Sequence, residues 1–261
     1  MASIITVPAF SDNYIWLICD KDKNRAAIVD PGDAAPVVKV LQENGIKPVA
    51  ILITHFHSDH VGGIGKLLEV YPGLPVYGPE KERIPHMTHP LNGTETIGLD
   101  VLDIKLNVMN VPGHTAGHIA YYDEQNGNLF CGDTLFACGC GRVFDGTLQD
   151  LHDSLQTIAQ LPAQTKIYCA HEYTLDNIGF AKWVEPENKA LLAREEAAMA
   201  LIDNDQPTVP SELALELETN PFLRTNQPDV VKRVEQATSK SLNNSAEVFA
   251  AMRTWKDSEY D

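Results

Sequence analysis

Thr54-His55-Phe56-His57-Ser58-Asp59-His60 puts three imidazoles and a carboxylate into seven consecutive residues. In front of it, Val49-Ala50-Ile51-Leu52-Ile53 is an unbroken apolar run, the pattern of a strand buried on both faces. Behind it, Val61-Gly62-Gly63-Ile64-Gly65-Lys66-Leu67-Leu68 predicts a turn leading into a helix. Polar groups crowded at the end of a buried strand compete for solvent unless something binds them, and a divalent metal does so. Imidazole with carboxylate suits zinc, iron or manganese, whereas calcium and magnesium prefer all-oxygen shells. In an extended loop His55 and His57 project to the same side and share one metal. Asp59 and His60 follow a bend and face a neighbouring position, so the spacing predicts a binuclear centre.

Three further motifs supply partners. Pro112-Gly113-His114-Thr115-Ala116-Gly117-His118 has a turn-like setting, Cys131-Gly132-Asp133-Thr134 follows Leu129-Phe130, and Ala170-His171-Glu172-Tyr173 follows Lys166-Ile167-Tyr168-Cys169. Each places a His or Asp just past a predicted strand, where ligands from several strands converge on one edge of a sheet sandwich.

The ordered set T-H-x-H-x-D-H, G-H-T-x-G-H, G-D-T and A-H-E-Y resembles the metallo-β-lactamase superfamily. Asp12-Asn13-Tyr14-Ile15-Trp16, Gly139-Cys140-Gly141-Arg142, His171-Glu172-Tyr173-Thr174, Asn220-Pro221-Phe222-Leu223-Arg224 and a basic C-terminal helix narrow the resemblance to the glyoxalase II (hydroxyacylglutathione hydrolase) family. The match runs nearly end to end. It implies His55, His57 and His114 as ligands of one metal, Asp59, His60 and His171 as ligands of the other, and Asp133 as the bridge. It also implies catalysis by Asp59 and Asp133 with a metal-bound hydroxide attacking a thioester carbonyl. The second histidine of the second motif, His118, is left out of the ligand set.

The substrate that the resemblance implies is S-D-lactoylglutathione, cleaved to D-lactate and glutathione in the second step of methylglyoxal detoxification. Arg142, Tyr173, Arg253 and Lys256 correspond to positions that hold the tripeptide. Where some relatives carry tyrosine two residues after the basic residue of G-C-G-[KR], this chain has Phe144, which packs but cannot donate a hydrogen bond. The metals are expected to be two divalent ions, zinc first, with iron or manganese as alternatives. A persulfide dioxygenase with a single iron is the nearest rival; lactonase or β-lactamase chemistry would leave the basic terminal helix without a purpose.

Composition is consistent with a soluble globular enzyme: 261 residues, 44% hydrophobic and 21% charged. The formal net charge of −16 argues against a nucleic-acid partner, since phosphate binding needs a basic surface. No apolar run is long enough to cross a bilayer, and the start of the chain lacks a basic, apolar leader, so a cytoplasmic, monomeric protein is expected. The odd set of five cysteines, Cys138 and Cys140 among them, reads as buried thiols in a reducing compartment.

In chain order, the first 35 residues predict a β-meander, and Asp30-Pro31-Gly32-Asp33 then starts a helix that stops at Gly45. Asp30 is read as support for the histidine loop rather than as a ligand. Residues 78–92, with His86 and His89, are read as irregular, residues 94–111 as two or three strands, and residues 150–160 as a helix with His152 on its surface. Strands and helices in two unequal halves indicate an α+β chain, an αββα sandwich, and the superfamily implies the same fold. From about Asn177 the chain is read as helical with no strand signal, ending in a helix that turns Val248, Met252 and Trp255 inward. Two domains follow: residues 1–172, catalytic, and residues 173–261, helical and glutathione-binding.

Overall fold

The computed structural model describes residues 3–260; Met1, Ala2 and Asp261, the ends of the two expected domains, lie outside them. The chain forms two compact units. One runs to Asn110 and takes up Gly117–Gly132; the other holds Val111–Ala116 and everything from Asp133. The chain crosses between them after Asn110, within the second histidine motif after Ala116, and again after Gly132.

The first unit contains a sheet in the order β1 (Ser3–Ala9), β2 (Asn13–Cys19), β3 (Arg25–Val29), β4 (Lys47–Leu52), β5 (Val76–Pro79), β6 (His89–Leu91). Its first two pairings are antiparallel, as a meander requires, and β3 to β6 run parallel. The switch to parallel pairing follows from the crossover helices α1 (Ala34–Glu43) and α3 (Ile64–Val70). Val37, Leu41, Ile64 and Leu67 of these helices join Ile15, Leu17, Ile28 and Ile51 in one buried core on that face. Between β4 and α3 lies a single helical turn, α2 (Ser58–Val61). His89 departs from the irregular reading: it pairs in register with Tyr77, so the edge strand has only three residues and too little pattern to show in sequence.

A second, antiparallel meander of β7 (Thr96–Leu99), β8 (Ile104–Asn110), β9 (Ile119–Asp123) and β10 (Asn128–Gly132) belongs to the same unit. The Tyr121 hydroxyl of β9 donates to the Ile53 carbonyl at 2.8 Å, and the Ile119 amide donates to the Thr54 carbonyl at 3.0 Å. The meander is thereby tied to the histidine loop itself.

In the second unit, β11 (Leu135–Phe136) and β12 (Gly139–Cys140) form a tight hairpin. They are followed by α4 (Leu148–Ile158), β13 (Lys166–Cys169), α5 (Thr174–Val184), α6 (Lys189–Ile202), β14 (Ser211–Glu212), α7 (Leu213–Thr219), α8 (Pro228–Thr238) and α9 (Ser245–Glu259). Caps explain the starts: Thr147 accepts from the Asp150 amide, Asn188 from Ala190 and Leu191, and Asn244 from Glu247. Val248, Met252 and Trp255 are buried, as their spacing predicts.

Two readings of this unit are corrected. His152 is buried, not on the surface: its ring bonds Asp153 at 2.8 Å and the Ser245 hydroxyl at 2.6 Å, because α9 packs on that face of α4. A strand does occur in the helical half, since β14 pairs antiparallel with β13. All five cysteines are buried free thiols; burial pushes Cys138 and Cys169 up to about 12 and Cys19 and Cys140 up to about 11.

Gly32 marks the tightest approach in the first unit. A methyl group there would collide with the main-chain oxygen of Asp59 and touch the Phe10 ring. Gly32→Ala is expected to destabilise the fold by about 1–3 kcal/mol through overpacking, measured as a lowered urea midpoint with unchanged slope. Native protein at pH 8 should resist alkylation at Cys19, Cys138, Cys140 and Cys169, which stay protonated below their raised pKa values; unfolded protein should react at all of them.

Candidate metal centre

In the first unit, β4 ends at Leu52 and the chain turns at Thr54 into the histidine loop. Asp30, one residue past β3, is buried in a left-handed conformation with φ of 51°. It accepts from the Thr54 amide at 2.8 Å and from the Thr54 hydroxyl at 2.7 Å. Its Oδ2 also lies 3.2 Å from His60 Nδ1. Asp30 supports the histidine loop, as the sequence reading held.

Asp30 thereby reaches both Thr54 and the His60 ring. The Thr54 hydroxyl gives its one proton to Asp30, so at 3.1 Å it accepts from His55 Nδ1, leaving His55 Nε2 bare. That nitrogen lies 3.0 Å from His57 Nδ1, and His60 Nε2 lies 3.4 Å from Asp59 Oδ2. Asn13 at the start of β2 donates to the same Asp59 oxygen at 3.0 Å. Asn13 and Thr54 orient ligands, and the sequence reading assigned neither a role; the signal was only their place inside quoted motifs. His118 is buried, its ring stacked on His55 at 4.7 Å.

In the second unit, His114 Nδ1 donates to the Arg142 carbonyl at 2.8 Å, and a carbonyl has no proton to give. His114 Nε2, on the other side of the ring, lies 3.4 Å from Asp133 Oδ2. His171 Nε2 lies 3.5 Å from the other oxygen, Asp133 Oδ1. One carboxylate thus faces two imidazoles through its two oxygens, the arrangement a bridge requires. Tyr173 stacks on His171 with planes 7° apart and centroids at 4.7 Å. Phe144 is exposed, its ring edge-on to His114 at 5.1 Å. Arg142 is exposed as well, with its carbonyl turned to His114.

The donor chemistry fits divalent metal. Ions held at about 2.0–2.1 Å by nitrogen and oxygen need donors about 3.0–3.5 Å apart, and all four donor pairs above meet this. The donors are imidazole nitrogens and carboxylate oxygens, with no thiolate among them.

Arg253 and Lys256 are not held to one acceptor. Arg253 is 1% exposed; it forks onto Asp257 and donates to the Cys140 carbonyl at 3.2 Å. Lys256, 5% exposed, donates to Asn177 Oδ1 at 3.0 Å and lies 3.7 Å from Asp176.

Comparison with known proteins accords with this geometry. The model of the metallo-beta-lactamase superfamily matches residues 10–171, and that of the hydroxyacylglutathione hydrolase C-terminus matches residues 172–259. A hydroxyacylglutathione hydrolase of Nitrosomonas eutropha is 48% identical over 98% of this chain and 99% of its own length. One of Pseudomonas paraeruginosa is 49% identical with the same coverage.

The chain belongs to the hydroxyacylglutathione hydrolase family.

Solved structures agree on the fold, that of the metallo-β-lactamases with a C-terminal helical domain. The B3 metallo-beta-lactamase BLEG-1 superposes with a TM-score of 0.63 at 24% identity, over 85% of this chain and 99% of its own. ETHE1 from Myxococcus xanthus gives 0.64 at 20% identity, over 97% and 96%. TTHA1623, solved in a di-iron-bound form, gives 0.59 at 25% identity, over 85% and 100%. Family membership together with the His and Asp donors establishes a metal-dependent hydrolase.

Replacing Asp30 tests the support of the histidine loop. Asp30→Ala removes the acceptor of the buried Thr54 amide and hydroxyl, and is expected to cost about 1–3 kcal/mol of stability, read from urea unfolding of the metal-free protein.

Proposed function

We propose that this protein hydrolyses the thioester of S-2-hydroxyacylglutathiones, S-D-lactoylglutathione foremost, releasing glutathione and the free hydroxy acid. The single observation that carries the reading is Asp133, whose two oxygens face the Nε2 atoms of His114 and His171 in a chain that belongs to this family throughout its length. His55, His57 and His114 would hold one divalent ion, Asp59, His60 and His171 the other, and Asp133 both. Zinc is the first choice, with iron or manganese as alternatives; the di-iron form of TTHA1623 supports iron as a real competitor. When bound, such a pair lowers the pKa of water toward 7 and polarises the substrate carbonyl.

The chain's own residues then divide the work. Thr54 and the Arg142 carbonyl engage the Nδ1 atoms of His55 and His114 and so turn Nε2 of each outward, while Asp30 lies against the His60 ring. Asn13 keeps Asp59 turned toward His60. The reaction forms one C–O bond and breaks the C–S bond; glutathione thiolate is a good leaving group, so no side-chain acid is required. The carrier is an anion and the chain has a net charge of −16, so attraction must be local. Arg142, Tyr173, Arg253 and Lys256 are the residues for it, with Tyr173 contributing an exposed ring beside His171. Phe144 contributes packing alone. The domain division that accompanies this reading is a catalytic part to residue 172 and a glutathione-binding part after it. A cytoplasmic monomer is the corresponding biological unit, with no nucleic-acid or membrane partner; no helix among the described residues is long and apolar enough to cross a membrane.

The test is turnover of S-D-lactoylglutathione by purified protein, with metal content measured on the same sample. Rapid hydrolysis with about two ions per chain, lost on chelation and restored by zinc, iron or manganese, is the expected result. Asp133→Ala should lower kcat at least 1,000-fold with loss of metal. A fully metallated sample without thioesterase activity sinks the reading, and a single iron with oxygen consumption on glutathione persulfide replaces it. Lys256→Ala should raise KM about 10-fold while kcat changes less than twofold, because it acts equally in ground and transition states.

A further inference from the structure

The β11–β12 hairpin is held almost entirely by side chains of the helical half. Its turn carries Cys138 in a left-handed conformation, φ 57°, unusual for a residue other than glycine. Asn220 Nδ2 donates to the Gly139 carbonyl at 2.9 Å and reaches the Phe136 carbonyl at 3.2 Å. Asn177 donates to the Ala137 carbonyl at 3.1 Å, and Arg253 to that of Cys140 at 3.2 Å. The Cys138 amide donates to Glu216 Oε2 at 2.9 Å. Four consecutive positions beyond Leu135, and Cys140 after them, thus have a main-chain group fixed by residues 40 to 113 positions further on.

Glu216 is the hub. It is 0% exposed, and its other oxygen accepts from Arg194 and Ser211 while Oε2 also accepts from Asn220 at 3.1 Å. Arg194 bonds Thr219 as well. Burying such a pair costs several kcal/mol per ion before attraction returns any of it, and an apolar pair is often as stable. Stability is therefore a poor account of it; fixed geometry is a better one.

What the hairpin carries is the site. Asp133 lies two residues before Leu135, and Arg142, whose carbonyl orients His114, lies two residues after Cys140. The Gly141 amide closes onto the Thr134 carbonyl at 3.3 Å. A methyl group on Gly141 would collide with the Asp133 carbonyl oxygen and lie 3.1 Å from His114 Nδ1. Any shift of the hairpin is passed to Asp133 and to the anchor of His114.

We infer that Glu216 and Asn220 are positioning residues for the metal centre: through the hairpin they fix Asp133 and the carbonyl that orients His114, and so set how tightly metal is held. This rests on the metal reading above. The helical half is then part of the machinery that presents ligands, in addition to any contact with substrate, and Arg253 serves in both capacities.

The experiment compares zinc-loaded wild type, Asn220→Ala, Glu216→Gln and Val234→Ala in competition with a graded chelator, alongside thermal unfolding of the metal-free proteins. Val234 is buried in α8 and makes no bond to the hairpin, so it reports on stability loss alone. Asn220→Ala and Glu216→Gln are expected to release zinc at chelator concentrations about 10-fold lower or less, the scale of outer-shell ligand support. Val234→Ala, even with an equal drop in melting temperature, should stay within twofold of wild type. If Asn220→Ala fails to fold, Glu216→Gln, which keeps its shape, decides. Wild-type chelator resistance in the folded variants overturns the inference, as does an equal loss in Val234→Ala. Wild type that binds no zinc, iron or manganese overturns the metal reading itself, a result visible before any variant is compared.

Discussion

A buried imidazole can serve a metal only if one ring nitrogen is bare and stays pointed at it, and much of this structure exists to meet that condition. At His55 the second nitrogen is tied to Thr54, and at His114 to a main-chain carbonyl. Each tie is to an oxygen without a proton to offer in that direction, so the tautomer follows from the bonding partner. Asp30 does most in the first unit: one carboxylate at the end of β3 fixes the backbone, the hydroxyl and a ring of the next strand's loop.

That arrangement needs the ends of β3 and β4 side by side, which parallel pairing through α1 supplies. It also needs the residue 30–33 turn to press against Asp59, which Gly32 permits by lacking a Cβ. The second unit meets the same need differently. Its hairpin has too few residues to hold itself, and helical side chains take up its main-chain groups. The two solutions share a logic: ligands sit on short, irregular segments, and rigidity is borrowed from regular elements that bond to them.

Much of the site was legible because metal ligands must be particular residue types at close spacing. His55, His57, Asp59 and His60 stand out in one run, and His114, Asp133 and His171 each follow a strand-like stretch. Their supporting partners were not legible in the same way. Asn13, Thr54, Asn220 and Glu216 are ordinary polar residues, and only their partners reveal what they do. Local pattern also failed where packing reversed it. His152 looks like a surface histidine on α4 until α9 covers it, and His89 looks like loop until three residues pair beside β5. Arg253 and Lys256 look like solvated cations, yet both are buried against the second unit's own oxygens.

The sequence by itself determined the donors, the alternation of strands and helices, and the family, since each is written in residue type and spacing along the chain. Tertiary structure alone decided which ring nitrogen of His55 and of His114 meets an anchoring oxygen, which oxygen of Asp133 meets which imidazole, and which distant side chains hold the β11–β12 hairpin. Those are contacts between residues up to 113 positions apart. No local periodicity encodes them, because they arise only when separate elements pack and every buried donor must find an acceptor.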